Sequence, residues 1–365
     1  MDVTNGFLPK DYEFMARALR LASGGLNTST PNPRVGCVIT RDEMIIGEGW
    51  HAKAGERHAE VHAIEQSCGD VKGGTAYVTL EPCAHHGKTP PCVDALIEAG
   101  IKRVVIGMVD PNPDVSGRGV ERLRAHDIQV DVGLMSAEAS ELNVGFVKRM
   151  VRGIPWFRVK VAAGLDGKTA LENGVSQWIT SEAARKDVHK MRARSCAVLT
   201  GVGTIVDDDP RMTVRHVETE RQPDVIIVDS QLRSPITSKL FERSGVTVAT
   251  AQEKSPKWDL FAEKGVSIIS VPDNNGKVDL NALAIRLGSM QYNEILVEAG
   301  VNLHSALFSV GLIDELVIYY APKFMGADGR DMLFIDDLRS MDQVPNRRVT
   351  DVRRFGQDLK VTIRF

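Results

Sequence analysis

Three candidate metal-binding side chains, spread widely along the chain, constrain its fold more than any other feature. His58 opens a helical pattern, and Cys83 directly follows a strand-like apolar run. Cys92 follows a Pro-Pro pair, which is typical of the first turn of a second helix. A cysteine near a helix N-terminus has a lowered pKa, which favours the thiolate that zinc binds. If the three residues bind one ion, the fold must bring two helix starts and one strand end together.

Glu60 gives this pattern its chemistry. Three protein ligands leave one zinc coordination position open, and a water bound there has its pKa lowered from about 15.7 to about 7. Hydroxide then becomes available at neutral pH, so the site is suited to hydrolysis. A His-x-Glu followed by Pro-Cys and a second Cys is the signature of zinc deaminases, in which the Glu is not a ligand and carries protons. We therefore predict one zinc per chain on His58, Cys83 and Cys92, with Glu60 as the catalytic residue.

Two other metal sites compete with this interpretation. His62 lies one helical turn after His58, as in metalloproteases, but that motif needs Glu directly after the first His, and Ala59 stands there. A purely structural zinc would need a fourth ligand, for which Cys68 is the candidate, and would make Glu60 dispensable.

Composition favours an intracellular enzyme of more than one domain. The 365 residues are 43% hydrophobic, enough for more than one core. The net charge is only -3 and 5% of residues are aromatic, which argues against a nucleic-acid editing deaminase. Five cysteines, an odd number, argue against a disulfide framework. With no leader-like start and no apolar run long enough to cross a membrane, we expect a cytoplasmic protein without membrane or nucleic-acid partners.

Short apolar runs alternate with helical patterns along the whole chain, which predicts layered α/β architecture. The sequence Arg-Gly-Ile-Pro at 152–155 interrupts the alternation before a new strand. We therefore predict one domain over residues 1–150 and a second over 151–365.

The second half carries no G-x-G-x-x-G fingerprint, so a Rossmann dinucleotide site is not indicated. Glycine-containing turns at 201–204 and 298–302 nevertheless follow predicted strands. Where such a turn opens a helix, the backbone N–H groups can bind a phosphate.

Several longer motifs closely resemble the bifunctional riboflavin-biosynthesis deaminase-reductase family. In the first half they are residues 30–36 (TPNPRVG), 58–63 (HAEVHA), 79–92 (TLEPCAHHGKTPPC) and 110–113 (DPNP). In the second half they are residues 160–169 (KVAAGLDGKT), 176–180 (SQWIT), 207–215 (DDDPRMTVR) and 297–300 (VEAG). The most specific element is the eight-residue spacing between Cys83 and Cys92, where nucleic-acid deaminases have two residues.

This resemblance implies a cytidine-deaminase-like α/β/α sandwich followed by a dihydrofolate-reductase-like α/β domain. The first would remove the 2-amino group of 2,5-diamino-6-(5-phosphoribosylamino)pyrimidin-4(3H)-one. The second would use NADPH to reduce the ribosyl chain of the resulting 5-amino-6-(5-phosphoribosylamino)uracil to ribityl. One alternative is a deaminase whose second half only binds or regulates. We also expect a homo-oligomer.

Further site residues are expected in both halves. Asn32 and His51 are candidates for holding the pyrimidine edge, because amide and imidazole groups match a fixed set of donors and acceptors. Lys88 and Thr89 are candidates for the ribose phosphate. The resemblance places cofactor contacts at Ala162, Trp178, Thr204, Asp208, Ser230 and the loop from Gly300. It places reductase substrate contacts at Ser176, Arg192, Arg211 or Met212, Arg215 and Glu298, and Lys160 is a further candidate as a polarising or phosphate-binding group. Arg192 and Arg215 are suited to bidentate phosphate binding.

Overall fold

A computed structural model describes residues 6–68, 70–84, 90–113, 115–335 and 337–365. It divides into two compact units, the first ending at Gly153 and the second beginning at Ile154. No helix in the described ranges is both long and apolar enough to cross a membrane.

The first unit is built on a five-stranded sheet. Its strands are β1 (Gly36–Arg41), β2 (Met44–Trp50), β3 (Thr75–Leu80), β4 (Arg103–Met108) and β5 (Gln129–Val132). Its helices are α1 (Pro9–Ala22), α2 (Ala59–Gln66), α3 (Cys92–Glu98), α4 (Arg118–Arg124), α5 (Ser136–Leu142) and α6 (Val144–Arg152), with a 3-10 turn at Ser23–Gly25. The strand order is β2-β1-β3-β4-β5, with β3, β4 and β5 parallel and β1 antiparallel to both neighbours.

Both faces of this sheet are covered, because successive side chains of each strand point to opposite sides. Ile39 and Val78 pack with α2, α3 and α4 on one face. Val38 and Tyr77 pack with Phe14 of α1 on the other. The predicted α/β/α layering is confirmed.

The helical pattern of the sequence from Ala137 to Met150 predicts one helix, but the structure has two. Asn143 breaks it between α5 and α6. The Asn143 side chain accepts a hydrogen bond from the backbone N–H of Arg34 (2.8 Å) and donates one to the Arg34 carbonyl (2.9 Å). Such a side chain competes with the helical backbone, so it favours a break.

The second unit is built on a nine-stranded sheet of order β11-β10-β9-β8-β12-β6-β13-β16-β15. The strands of this unit are β6 (Trp156–Gly164), β7 (Lys168–Ala170), β8 (Ala197–Gly201), β9 (Asp224–Val228), β10 (Val246–Thr250), β11 (Ser267–Ser270), β12 (Glu294–Val297), β13 (Glu315–Ala321), β14 (Arg330–Asp331), β15 (Arg348–Phe355) and β16 (Asp358–Arg364). The helices are α7 (Glu182–Arg194), α8 (Val202–Asp208), α9 (Pro256–Glu263), α10 (Leu280–Ser289) and α11 (Val301–Ser309), with 3-10 turns at Lys239–Glu242 and Met341–Gln343.

The seven strands from β11 to β13 are parallel, whereas β16 and β15 add an antiparallel hairpin. β7 and β14 pair separately as a short antiparallel ribbon. Parallel strands end at a common edge, and loops at that edge form the binding crevice of open α/β sheets. The ends of β8, β9 and β12 therefore bring the segments after Gly201, Val228 and Val297 to one side of the unit.

Candidate active sites

In the first unit, the three predicted metal ligands lie together. His58 is the N-cap of α2, Cys92 is the first residue of α3, and Cys83 lies just after β3. The His58 Nδ1 atom is 3.0 Å from the Cys92 sulfur and 3.6 Å from the Cys83 sulfur. Their ligand atoms all lie within 4.8 Å of one another, the only such group of three or more His, Cys, Asp or Glu found in the described part of the chain.

This donor set fits zinc. Zn–N distances of about 2.0–2.1 Å and Zn–S distances of about 2.3 Å in a tetrahedral site place nitrogen and sulfur roughly 3.6 Å apart. The His58–Cys83 separation of 3.6 Å matches this value, and the His58–Cys92 separation is shorter, at 3.0 Å. Cys68 and His62 do not belong to the group, so neither of these candidates supplies a fourth ligand there. Neighbouring His85 and His86 lie outside the described residues.

The pKa values of the two thiols are shifted in opposite directions. A hydrogen bond from Cys92 and the nearby His58 imidazole lower the pKa of Cys83, although burial opposes them. The pKa of Cys92 is raised because its thiol donates to the Cys83 sulfur, while its backbone N–H also donates to that sulfur at 3.3 Å. The pKa of His58 is raised by its hydrogen bond to Cys83. A dication bound between these side chains would favour the thiolate form of both cysteines.

Glu60 sits in the first turn of α2 and is only 3% exposed. Burial, followed by the neighbouring charge of Cys83, raises the pKa of Glu60 to about 7. A carboxyl group with a pKa near the working pH is suited to both accepting and releasing a proton. Glu60 thus lies beside the predicted metal ligands and is not a member of the group of His58, Cys83 and Cys92.

Asn32 and His51 lie together at the same site. His51 is 2% exposed, and its Nδ1 is 3.1 Å from the carbonyl oxygen of Arg57. Because a carbonyl only accepts, Nδ1 carries the proton, and the Nε2 of a neutral ring must accept. Its partner is the amide nitrogen of Asn32 at 3.0 Å. This pairing turns the amide oxygen of Asn32 away from His51 and leaves it available as an acceptor.

Lys88 and Thr89, predicted to contact the ribose phosphate, lie outside the described residues.

In the second unit, Lys160, Arg192 and Glu298 form one ion-pair cluster. Arg192 donates to both carboxylate oxygens of Glu298, at 2.5 and 3.0 Å, and the Lys160 ammonium lies 3.3 Å away. Burial would raise the pKa of Glu298, but the charges of Arg192 and Lys160 outweigh it and lower the pKa to about 2. Two cations against one carboxylate leave a net positive charge, which suits a phosphorylated ligand.

Thr213 and His189, which sequence reasoning missed, join Arg215 to this cluster. The Thr213 carbonyl accepts from Arg192 at 3.0 Å, and its hydroxyl accepts from Arg215 at 3.2 Å. The backbone N–H of Arg215 donates to Nδ1 of His189 at 3.0 Å. Thr213 lies inside the DDDPRMTVR motif, so its position was a usable signal, but its contacts depend on the fold.

The two glycine turns of the second unit fit a phosphate-bearing cofactor. Gly201 caps α8 after β8, and Gly300 caps α11 after β12, which is the neighbouring strand. A side-chain carbon added at Gly203 or Gly300 would meet nothing within 4 Å, so the backbone there is open to a ligand. Thr204 lies on α8, and Ser230 follows β9 with its hydroxyl accepting the N–H of Val278 at 3.0 Å.

The other predicted reductase residues are more scattered. Ala162 lies on β6, and Asp208 ends α8 beside Gln177, with burial raising the pKa of its carboxyl. Trp178 is 64% exposed, and Arg185 stacks over its ring at 4.5 Å. The contacts of the described residues do not join Ser176 or Arg211 to the Glu298 cluster.

The Met212 side chain is directed into the core. It is only 4% exposed and packs in an apolar cluster with Ile205 of α8 and Val225 of β9. Of the alternatives Arg211 and Met212, only the backbone of Met212 is left for a substrate contact, whereas Arg211 is exposed.

Two family models match the chain, one in each unit. Residues 8–108 match the cytidine and deoxycytidylate deaminase zinc-binding region, and residues 155–361 match the RibD C-terminal domain. The fold and the metal cluster therefore define a zinc-dependent deaminase joined to a reductase.

Full-length relatives extend this match. The riboflavin biosynthesis protein RibD of Escherichia coli (strain K12) is 47% identical over 363 residues, covering 96% of this chain and 98% of the relative. That of Haemophilus influenzae is 42% identical over 374 residues, covering 98% of each. The chain belongs to the RibD family of bifunctional riboflavin biosynthesis proteins. Its members are deaminase-reductases that use Zn²⁺ and NADPH, and a second half that only binds or regulates is not favoured.

Solved structures agree over almost the whole length. Acinetobacter baumannii RibD (form 1) superposes with a TM-score of 0.91 and 41% identity, covering 97% of this chain and 98% of that chain. A Thermotoga maritima protein gives a TM-score of 0.86 at 36% identity with the same coverage, and is described as a diaminohydroxyphosphoribosylaminopyrimidine deaminase/5-amino-6-(5-phosphoribosylamino)uracil reductase. The predicted fold class and bifunctional enzyme are thereby confirmed.

Proposed function

We propose that residues 1–150 deaminate 2,5-diamino-6-(5-phosphoribosylamino)pyrimidin-4(3H)-one and that residues 151–365 reduce the product. The observation that carries the first step is the group of His58, Cys83 and Cys92 beside the buried carboxyl of Glu60. A zinc ion on these three ligands would lower the pKa of a water molecule at an open position. Everything else in the step is done by the chain itself.

Glu60 carries the proton in both directions. Its carboxylate takes a proton from the water whose oxygen bonds to C2 of the pyrimidine. It delivers that proton to the ring nitrogen. It then takes a second proton from the hydroxyl now on C2 and passes it to the amine, so that the C2–N bond breaks, C2 becomes a carbonyl and ammonia leaves. Burial raises the pKa of Glu60, and a carboxyl group with a raised pKa can act as base and then as acid in the same reaction.

Asn32 holds the pyrimidine edge through its amide oxygen, and His51 acts through Asn32. Because His51 fixes the amide orientation, the edge that faces Asn32 must present an N–H donor. Lys88 and Thr89 complete this proposal as contacts to the ribose phosphate.

Replacing His51 with Phe should lower kcat/KM for ammonia release by about 10- to 100-fold. The ring shape is kept, but the Asn32 amide loses its acceptor and is free to rotate, an effect of roughly 1–3 kcal/mol for a buried polar group. Steady-state ammonia assays measure it, with NADPH oxidation by the same chain on the deaminated substrate as the control. Unchanged kcat/KM would contradict the relay through Asn32.

In the reductase half, Arg192, Arg215 and Lys160 supply the positive charge for the substrate phosphate and the developing oxygen, and Glu298 keeps Arg192 and Lys160 in place. The family resemblance adds Ser176 and either Arg211 or the backbone of Met212 as further substrate contacts. Cofactor contacts come from Ala162, Trp178, Thr204, Asp208, Ser230 and the turn at Gly300. NADPH supplies the hydride, and the protein orients it.

Removing the metal tests whether zinc is required for deamination and not for reduction. Dialysis of the full chain against a zinc chelator is expected to abolish ammonia release and to leave NADPH oxidation on the deaminated substrate within about twofold. Adding back one equivalent of zinc per chain should restore the first activity. If ammonia release survives in metal-free protein, the proposed deaminase mechanism is wrong.

Cysteine usage and net charge support a cytoplasmic protein that acts on a small molecule. The five cysteines are free thiols in a chain with a proposed zinc–thiolate site, which is typical of a reducing cytoplasm. The near-neutral charge argues against nucleic-acid partners, and the proposed ligand is a small phosphorylated pyrimidine.

We further expect a homo-oligomer. β15 is the edge of the nine-stranded sheet, and Val349 and Val352 on it are 51% and 58% exposed. Such an edge pairs readily with another chain. Light scattering should give at least twice the mass of one chain, and Val352→Lys should lower that mass. A single-chain mass for the native protein would contradict it.

A further inference from the structure

Glu81 is a buried carboxylate with an unusual set of partners. It directly follows β3, is 3% exposed, and accepts hydrogen bonds from four backbone N–H groups. One oxygen accepts from Asp110 (3.1 Å) and Gly117 (3.0 Å), and the other from Gly119 (2.8 Å) and Val120 (3.2 Å). A charged acceptor with several aligned donors is held more rigidly than a neutral one.

This carboxylate fixes the segment that carries a metal ligand. The Glu81 backbone N–H donates to the carbonyl of Met108 at 2.9 Å, which anchors the end of β3 to the end of β4. The carbonyl of Pro82 lies so close to Gly119 that a side-chain carbon there would meet it at 2.3 Å. Only glycine permits this approach. Cys83 is the next residue, so the close contact between Pro82 and Gly119 of α4 fixes its position.

Arg122, one turn further along α4, reaches both cysteine segments. It donates to the carbonyl of Ala84 at 3.3 Å, just after the first cysteine. It also forms an ion pair with Asp94 in the first turn of α3 at 2.5 Å. Asp94 lies two residues after the second cysteine, at the helix start that places it. The Arg122 side chain thus links the segment that carries Cys83 to the segment that carries Cys92.

We propose that Glu81 and Arg122 are positioning residues. They link α4 to the segments that carry Cys83 and Cys92 and thereby set the separation of the two sulfurs. The inference rests on the proposed metal site. Neither side chain is a ligand, and both act through backbone atoms and Asp94. Because partners behind metal ligands typically contribute about 10- to 100-fold to metal affinity, their loss should be measurable without any turnover.

The test compares three variants of the full chain with matched substitutions. Glu81→Gln keeps the side-chain shape but removes the charge, and Arg122→Gln removes both contacts to the cysteine segments. Arg118→Gln, an exposed residue on the same helix, is the control. Zinc affinity is measured on metal-free protein in competition with a chromogenic chelator. Cobalt(II) substitution reports the thiolate-to-metal charge-transfer bands, and NADPH oxidation reports the folding of the second unit.

We expect zinc affinity to fall by about 10- to 100-fold in Glu81→Gln and by about tenfold in Arg122→Gln, with altered cobalt bands and native values for Arg118→Gln. A purely structural role would lower the unfolding midpoint without changing affinity or spectrum, and that result overturns the inference. If Glu81→Gln fails to fold, the zinc affinity and cobalt bands of Arg122→Gln test the proposal, because the Arg122 side chain is partly exposed. If the native chain itself takes up no zinc or cobalt, the proposed function fails instead.

Discussion

Replacing Glu60 with Gln is expected to lower ammonia release by at least about a thousandfold while leaving zinc content and NADPH oxidation unchanged. The amide keeps the shape of the buried side chain but cannot accept a proton from water, and positioned general acid-base groups contribute about 10²- to 10⁴-fold. Here one carboxyl group serves both proton transfers, so we expect the upper part of that range. The measurement is ammonia release by the full chain on the diaminopyrimidine phosphate.

Glu65→Gln is the matched control for this experiment. Glu65 lies on the same helix, is exposed, and pairs with Arg57 at 3.2 Å. The same substitution there should leave ammonia release within about twofold. If Glu60→Gln retained more than a tenth of native activity, Glu60 would not be the proton carrier.

Replacing Arg158 with Met is expected to destabilise the second unit by about 3–5 kcal/mol. Arg158 is 5% exposed on β6 and bridges Glu294 on β12 to Glu315 on β13. Without it, two buried carboxylates lose the cation that bridges them, although Arg194 still pairs with Glu294 and Arg364 with Glu315. Breaking a buried ion pair from one side is strongly destabilising because it leaves charge uncompensated.

Urea denaturation followed by two activities separates the units. NADPH oxidation should be lost at a much lower urea concentration in Arg158→Met, whereas ammonia release should be lost near its native midpoint. The control is Arg353→Met, which removes an exposed ion pair with Asp351 (2.8 Å) and should change stability by at most about 1 kcal/mol. Equal shifts in both activities would contradict the assignment of this network to the second unit.

The C-terminal hairpin shows where sequence reasoning was incomplete. β15 and β16 were not predicted, although the two-residue connection Gly356-Gln357, with Gly356 at φ +64°, separates two alternating segments. Gly at a positive φ in a two-residue loop is a recognised hairpin signal. Arginines on both strands masked the apolar alternation. The strands at Met44–Trp50, Arg103–Met108 and Val246–Thr250 have stronger apolar patterns, which the sequence alone shows with these bounds.

Long-range contacts account for what was missed in the sites. Asn32 and His51 were both predicted to contact the pyrimidine. The carbonyl of Arg57 fixes the tautomer of His51, and His51 in turn fixes the orientation of the Asn32 amide. Glu81 lies within the motif of residues 79–92 but was assigned no role, and Arg122 lies outside every motif. Their roles became visible only through contacts with backbone groups far along the chain.

The amino-acid sequence alone determined the donor types, their spacing along the chain and the alternation of strands and helices, because these depend on side-chain chemistry and on local periodicity. Only the tertiary structure decided three things: how far His58 Nδ1 lies from the two sulfurs, that the amide oxygen of Asn32 is turned away from His51, and that Met212 is buried. The reason is that such distances are set by packing between elements distant in sequence, which no local pattern encodes.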